Sequence, residues 1–213
     1  MHRLLPAIGL AALVVLSGCV TASVDSTVAA DGTVSEYDLT LEMSPSVYDG
    51  LRSQAQQEGY DSVEGYLLAD VNVSRMENYT YEQELDGENV TLSMTFTDWN
   101  PGPESDVSTN VSGGNVTYED RTFVTANEDT DVAFGDGVAV EYQLTMPADI
   151  TSSNADIVQN ETAVWEYAAD EPVDEPIRAT SPAPSSAFGP GMGIPVAVVA
   201  LLGAALLASR SRD

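Results

Sequence analysis

The residues most often used for covalent and metal chemistry are nearly absent from this sequence. Among 213 residues there is one histidine, His2, and one cysteine, Cys19, and the basic side chains are all arginines. Beyond the N-terminal segment, the chain therefore lacks a Ser/His or Cys/His pair, an imidazole or thiolate metal ligand and a lysine for a Schiff base. The composition predicts a protein that is not an enzyme and holds neither a cofactor nor a metal.

Carboxylates are the remaining groups that could do chemistry. The chain has 34 acidic residues, so the presence of a pair suited to glycoside hydrolysis carries little information. A hydrolase stays an alternative only if two buried acids face one cleft.

The charge is extreme, with a formal net charge of −27. Self-repulsion of this size loosens a compact fold at low salt, whereas at molar salt the Debye length falls to about 3 Å and the repulsion is screened. A patterned, very acidic and lysine-free chain is typical of an extreme halophile, such as a halophilic archaeon. Nucleic acid is excluded as a partner because phosphate binding needs clustered basic residues.

Cys19 lies directly after an apolar N-terminal run. Residues 1–3 include Arg3, residues 4–16 are apolar, and Leu16-Ser17-Gly18-Cys19 follows. This order predicts a secretory signal peptide over residues 1–18. The tetrad resembles a lipobox, in which the cysteine thiol is joined to a membrane lipid and becomes the first residue after cleavage. Cys19 is thus the predicted lipid attachment site; the alternative is an inert cysteine in an uncleaved helix.

The C-terminal segment predicts a second anchor. Residues 187–209 carry no charge, and Arg210 and Arg212 follow. We predict a linker over 182–192, a transmembrane helix over 193–209 and a basic cytoplasmic tail over 210–213. The main domain then lies at the extracellular face of the cell membrane, with both of its ends at that face.

The same segment resembles the C-terminal sorting signal of haloarchaeal surface proteins. In those signals a Pro-Gly-Phe motif precedes an apolar helix and a basic tail. Here Pro190-Gly191-Met192 departs from the motif at its third position.

Between these ends the pattern predicts one domain over residues 31–181, preceded by a small, polar tether over 19–30. Residues 33–43 alternate apolar and polar side chains as a half-buried strand does. Ser44-Pro45 then begins an amphipathic helix, and a second short helix starts near Asp61. Strand patterns follow around residues 79–85, 90–96, 116–123, 138–146 and 164–167, with a loop over 100–115. The fold class is α+β, a mainly antiparallel sheet with one or two helices inserted after the first strand.

Six asparagines begin Asn-x-Ser/Thr sequons, which predict N-glycosylation in an exported domain. They are Asn72, Asn78, Asn89, Asn110, Asn115 and Asn160.

Residues 138–181 carry a more specific pattern. Met146-Pro147, Ser153-Asn154, Val164-Trp165 and Ala179-Thr180-Ser181 occur in the order found in LppM-type domains of envelope lipoproteins, with Ala148 where a glycine is usual. The chain resembles that family over most of residues 31–181. The resemblance implies a noncatalytic α+β domain similar to lipid-binding folds, with a part in handling envelope glycolipids.

Two functions follow. The first is a membrane-anchored module that binds a lipid or glycolipid between its helices and its sheet. The alternative is a structural or assembly glycoprotein of the cell envelope that acts through a protein partner and has no small-molecule ligand.

Overall fold

The computed structural model describes residues 20–69, 71, 73–103, 105–124 and 137–184. These residues form eleven strands, two α-helices and one 3₁₀ helix. In chain order they are β1 (Val20–Val28), β2 (Val34–Met43), α1 (Pro45–Gln57), α2 (Val63–Leu67), the 3₁₀ helix (Val73–Arg75), β3 (Glu77–Asp86), β4 (Asn89–Trp99), β5 (Val107–Ser112), β6 (Asn115–Asp120), β7 (Val138–Thr145), β8 (Ser152–Ser153), β9 (Ile157–Gln159), β10 (Thr162–Tyr167) and β11 (Ile177–Pro182).

The strands form a large and a small sheet. The large sheet has the order β3-β4-β2-β1-β7-β10-β9, and the small sheet has the order β5-β6-β11-β8. All strand pairs are antiparallel except β1 with β7, which run parallel. The predicted α+β class with a mainly antiparallel sheet and two helices is confirmed.

The predicted tether over residues 19–30 is wrong for most of its length. Residues 20–28 are β1, which lies fourth of seven in the large sheet, between β2 and β7. Valine and threonine, which favour extended backbone, dominate this segment, and Ala22, Val24, Ser26 and Val28 alternate inward and are buried. The strand predicted first is therefore β2, and the helices follow the second strand.

A second departure concerns residues 100–115, predicted as a loop. Residues 107–112 form β5, which pairs with β6 through a turn at Gly113-Gly114, both with positive φ. The side chains of β5 are mostly exposed and polar, so the segment lacks the apolar alternation that would predict a strand.

One face of the large sheet is covered and carries the core. Alternate residues of β1, β2, β4, β7 and β10 point to this face and most are buried, with a break in the alternation after Val34 in β2 and before Trp99 in β4. α1 and α2 cover the part formed by β4 and β2, and the small sheet packs over the part that contains β7 and β10. The opposite face carries threonine, serine and acidic side chains in alternating positions.

The described chain begins and ends at opposite ends of this assembly. Val20 pairs with Val138 at one end of β1, while the turn around Gly32 lies at the other end. Ala183 donates its N–H to Gly114 O, and the neighbouring Val111 packs against the Gly32 turn. Val20 and Ala183 therefore lie at opposite ends of the part of the chain that the structure describes.

Within the residues that the structure describes, no helix is both long and apolar enough to cross a bilayer. The predicted signal peptide, Cys19 and the predicted span over 193–209 lie outside the described residues.

Candidate ligand cavity

A cavity of about 310 Å³ lies where the helices, the large sheet and the edge of the small sheet meet. Its size is at the lower end of the range for small-molecule sites, about 300–1,000 Å³. The residues around it are mainly apolar or aromatic, and they come from β2 and β4, the end of α1, α2 and the segment after it, and both flanks of the β5–β6 hairpin: Tyr37, Leu39, Glu58, Tyr60, Tyr66, Leu67, Leu68, Ala69, Val71, Met94, Phe96, Trp99, Ser105, Asp106, Val107 and Thr122.

The floor comes from the inward side chains of β2 and β4. Tyr37 and Phe96 are opposite each other in the β2–β4 register, and their rings stack with centroids 4.9 Å apart and an interplanar angle of 7°. Leu39 and Met94 form the next inward pair along the same strands. Such aromatic pairs contribute contact energy beyond simple area burial.

Trp99 reaches this floor through a local change in the backbone. Residues 90, 92, 94 and 96 of β4 point inward, so strict alternation would place Trp99 on the outer face. Asp98 instead adopts a φ of 49°, a left-handed conformation that aspartate tolerates better than most residues. Trp99 is consequently buried, with its ring edge-on to Phe96 at 5.1 Å and to Tyr37 at 5.9 Å.

The wall opposite the floor begins where α1 ends. Gly59 has a φ of 91°, and the N–H groups of Gly59 and Tyr60 donate to the carbonyls of Gln56 and Ala55. This pair of bonds is a Schellman motif, which closes the helix and turns the chain. It brings Tyr60 to the cavity, where its ring lies 5.5 Å from that of Tyr66 on α2.

The polar groups at the cavity are acidic or uncharged. Glu58 and Asp106 are exposed, and Ser105 and Thr122 are partly exposed. Glu58 is also the C-cap residue of α1, so a carboxylate sits at the negative end of that helix dipole.

A buried polar cluster lies behind Tyr37, below the floor of the cavity, and joins the two sheets. Asp120 on β6 is 1% exposed, and its Oδ1 accepts the N–H of Thr122 at 2.8 Å. Its Oδ2 accepts the hydroxyl of Tyr142 at 2.8 Å and that of Tyr37 at 3.4 Å. Because the Tyr142 proton points to Asp120, Tyr118 donates to the Tyr142 oxygen, at 2.5 Å.

Burial sets the protonation behaviour of this cluster. It raises the pKa of the Asp120 carboxyl above its ordinary value, against hydrogen bonds from Thr122 and Tyr142 that lower it. Burial and the nearby Asp120 charge raise the pKa values of the Tyr37, Tyr118 and Tyr142 phenols well above 10.0. The three phenols therefore stay protonated and act as hydrogen-bond donors. Among the described residues, Asp120 is the one buried acid, so the cavity does not pair two buried carboxylates there.

The predicted modification sites lie away from the cavity. Asn78, Asn89, Asn110, Asn115 and Asn160 are all exposed, whereas Asn72 and Cys19 lie outside the described residues.

These exposed asparagines are not evenly spread. Asn89 is beside Val90, whose register partner Met43 ends β2 near Val20. The other four lie toward the opposite end, near the far ends of β2 and β7 or on the β5–β6 hairpin.

The motif residues within 138–181 connect the two sheets. Asn154 Oδ1 accepts the Trp165 Nε1–H at 3.1 Å and the Arg178 N–H at 2.9 Å, and Asn154 Nδ2 donates to Pro176 O at 2.9 Å. Trp165 is fully buried on β10, so this asparagine ties the large sheet to β11 of the small sheet. None of these residues lines the cavity.

The chain aligns along nearly its whole length with a protein of Archaeoglobus fulgidus described as uncharacterized. The two are 33% identical over 208 residues, which cover 95% of this chain and 93% of that protein. The chain belongs to the family of that archaeal protein. No family model matches the chain. The folded domain of LppM from Mycobacterium tuberculosis, solved by NMR, is 18% identical to this chain and superposes with a TM-score of 0.47, covering 77% of this chain and 90% of that domain.

The cavity residues were not identified from the sequence. Their aromatic side chains come from four separate segments, and Trp99 depends on the conformation of Asp98. The one available signal is local: Gln57-Glu58-Gly59-Tyr60 has a glycine positioned to end a helix and an aromatic residue directly after it.

Proposed function

We propose that this protein is a lipid-anchored module of the cell envelope of a halophile and that its domain binds an apolar ligand, a lipid or a glycolipid, at the extracellular face of the membrane. The observation that carries the proposal is the 310 Å³ cavity between the helices and the sheet. The lipobox at Cys19 and the motif resemblance to LppM-type domains support the envelope location and the ligand class.

The position of the cavity adds a constraint on how a ligand arrives. Tyr37 is six residues from Met43, the end of β2 that lies near Val20, which is about 20 Å of strand. If the lipid on Cys19 is the sole anchor and the domain stands upright on its Val20 end, Tyr37 lies about 20 Å above the membrane surface. That arrangement favours a ligand that is delivered to the domain over one that remains in the bilayer.

Binding is tested with the full chain purified from its native membrane. Native mass spectrometry of the wild type should show a retained apolar ligand, and Ala69→Phe, which adds a ring at the cavity, should lose it. Ala168→Phe is the matched control, because Ala168 is also exposed but does not line the cavity. Equal ligand content in the three proteins would contradict the proposed site.

The anchors are tested separately by intact mass and by fractionation. The native protein should carry a lipid on Cys19. Cys19→Ser should lose this mass and should leave the membrane fraction only if the C-terminal segment has been removed.

The second candidate is a structural glycoprotein of the envelope with a protein partner. It is favoured by the exposure of all five described sequon asparagines, four of which lie toward the end remote from Val20. Crosslinking in intact cells followed by purification should recover an envelope protein in constant proportion. A partnerless protein that retains an apolar ligand would support the first candidate instead.

A further inference from the structure

The cavity is lined by several aromatic rings, and two acidic side chains lie at its border. Five aromatic residues line it: Tyr37, Tyr60, Tyr66, Phe96 and Trp99. Aromatic faces attract cations through the ring quadrupole, and clusters of them recognise quaternary ammonium groups.

The charges around the cavity also favour a cationic ligand. Glu58 and Asp106 lie at its border, and the buried Asp120 lies behind Tyr37, whose hydroxyl it accepts. The C-terminal end of α1, which carries the negative pole of the helix dipole, ends at Glu58, and the last turn of α1 contains no basic residue.

Two arginines lie near the border of the cavity: Arg121 donates its backbone N–H to Asp106 O at 3.1 Å, and the Arg75 guanidinium lies beside Gly102. Among the described residues there are four arginines, and none of them lines the cavity. Each is engaged elsewhere: Arg52 with Asp49 at 3.1 Å, Arg121 with Glu119 at 2.5 Å, Arg178 with Glu119 at 2.7 Å and Arg75 with the carbonyl of Asn100 at 3.3 Å.

We propose that the cavity selects the cationic end of a small amphiphile, an ammonium group attached to a single hydrocarbon chain, and rejects anionic amphiphiles. This inference rests on the proposed binding function and specifies its ligand class. The volume fits the ammonium end, because at about 30 Å³ per water-sized group the cavity holds roughly ten such groups, a trimethylammonium head and about six carbons of its chain. A phosphate head would meet carboxylates and find no arginine on the described lining.

The test uses three probes with the same tail: decyltrimethylammonium, decanol and decyl sulfate, all below their micellar concentrations. Full-length protein is held in nanodiscs of zwitterionic lipid, at one ionic strength. Tryptophan fluorescence reports binding, since Trp99 lines the cavity and Trp165 is fully buried at a distance from it. Ala69→Phe in the same nanodiscs corrects for partition of the probes into lipid.

The expected order of affinity is decyltrimethylammonium, then decanol, then decyl sulfate. At the lowest salt concentration at which circular dichroism shows the wild type to be folded, Glu58→Gln with Asp106→Asn should weaken decyltrimethylammonium binding roughly fivefold to tenfold and leave decanol binding unchanged. The control is Glu36→Gln with Glu42→Gln, which removes the same charge from exposed positions on the other face of β2.

Two results would overturn the inference in distinguishable ways. Equal affinity for the three probes, or tightest binding of decyl sulfate, would contradict the charge selection while leaving the binding function in place. Probe responses that Ala69→Phe does not reduce would contradict the binding function itself.

Discussion

At the scale of single residues, Asp120 is the clearest case of a polar group that organises the core. A carboxylate buried between two sheets is costly unless its oxygens accept hydrogen bonds, and here a backbone N–H and the hydroxyls of Tyr37 and Tyr142 supply them. The cluster holds Tyr37 in place at the floor of the cavity, so the packing of the small sheet and the shape of the cavity are linked.

The raised pKa of Asp120 predicts a specific pH dependence. A carboxyl that holds its proton more tightly in the folded state adds stability below its unfolded pKa of 3.8, and that contribution is lost as the pH rises through the folded pKa. Asp120→Asn removes this dependence, and the hydroxyls can reverse to pair with the amide. We expect the melting temperature of the variant, relative to wild type, to increase from about pH 4 toward neutral.

Thermal unfolding of the two proteins across this pH range measures the difference. Glu36→Gln, an exposed position, corrects for the change in net charge. A melting-temperature difference that does not change with pH would show that Asp120 binds its proton equally in both states.

Asp98 is the second residue with a defined role, because its left-handed φ turns Trp99 inward. Asp98→Val places a β-branched side chain in this conformation and should cost about 1–2 kcal/mol of unfolding free energy. Asp98→Asn should be close to neutral. Chemical denaturation measures both, and the valine variant should also lose the Trp99 fluorescence response to a cavity probe. Equal stability of the two variants would indicate that the strand tolerates the change.

At the scale of elements, β1 shows what the sequence can and cannot reveal. β2, β4 and β7 alternate large apolar and polar side chains, and the sequence predicts all three. β1 alternates too, but its inward residues Ala22 and Ser26 are small, so the segment resembles a tether in composition. Its parallel partner β7 lies more than 100 residues away, and no local signal reports such a pairing.

The sequence does not predict the cavity residue by residue. The sequence predicts its general place, between helices and sheet. Its lining, however, depends on the Schellman turn at Gly59, on Asp98 and on the docking of the β5–β6 hairpin, whose strand β5 is too polar to be recognised.

Because β1 is central in the large sheet, we expect that a domain beginning at residue 31 does not fold. A chain that starts at residue 31 lacks the strand between β2 and β7 and leaves the backbone hydrogen-bonding groups along one edge of each neighbour unpaired. We expect it to lack the cooperative thermal transition that a chain starting at Val20 shows, as measured by circular dichroism. A cooperative transition in both chains would mean that β2 and β7 pair directly without β1.

The contact between the β1–β2 turn and the β5–β6 hairpin can be tested through glycine. Gly32 has a φ of 86°, and a Cβ there would lie 2.9 Å from Val111 Cγ2. Gly87 has a φ of 50°, and a Cβ added to it would meet no atom within 4 Å. Alanine at position 87 therefore carries the cost of the left-handed conformation without a steric clash. Gly32→Ala should therefore destabilise the fold by about 1 kcal/mol more than Gly87→Ala, measured by urea denaturation. Equal losses would show that the hairpin moves away without cost.

At the scale of the whole molecule, the charge makes stability depend on salt. With a net charge of −27 the folded chain repels itself, and the few arginines neutralise little of it. Raising potassium chloride from about 0.1 M to about 2 M shortens the screening length from about 10 Å to below 3 Å. We expect the melting temperature to rise across this range, and scanning calorimetry of the full chain measures it. A melting temperature that falls with salt would contradict the halophilic assignment.

The opposite placement of Val20 and Ala183 limits how the domain can sit if both predicted anchors enter one membrane. β1 alone is about 27 Å long, and the nine residues from 185 to 193 reach at most about 30–32 Å when fully extended. An upright domain standing on its Val20 end would leave that segment almost no slack. With both anchors in one membrane, we expect the long axis of the domain to lie closer to the plane of the bilayer than to its normal. Removal of the C-terminal anchor would let the domain change its orientation about Cys19.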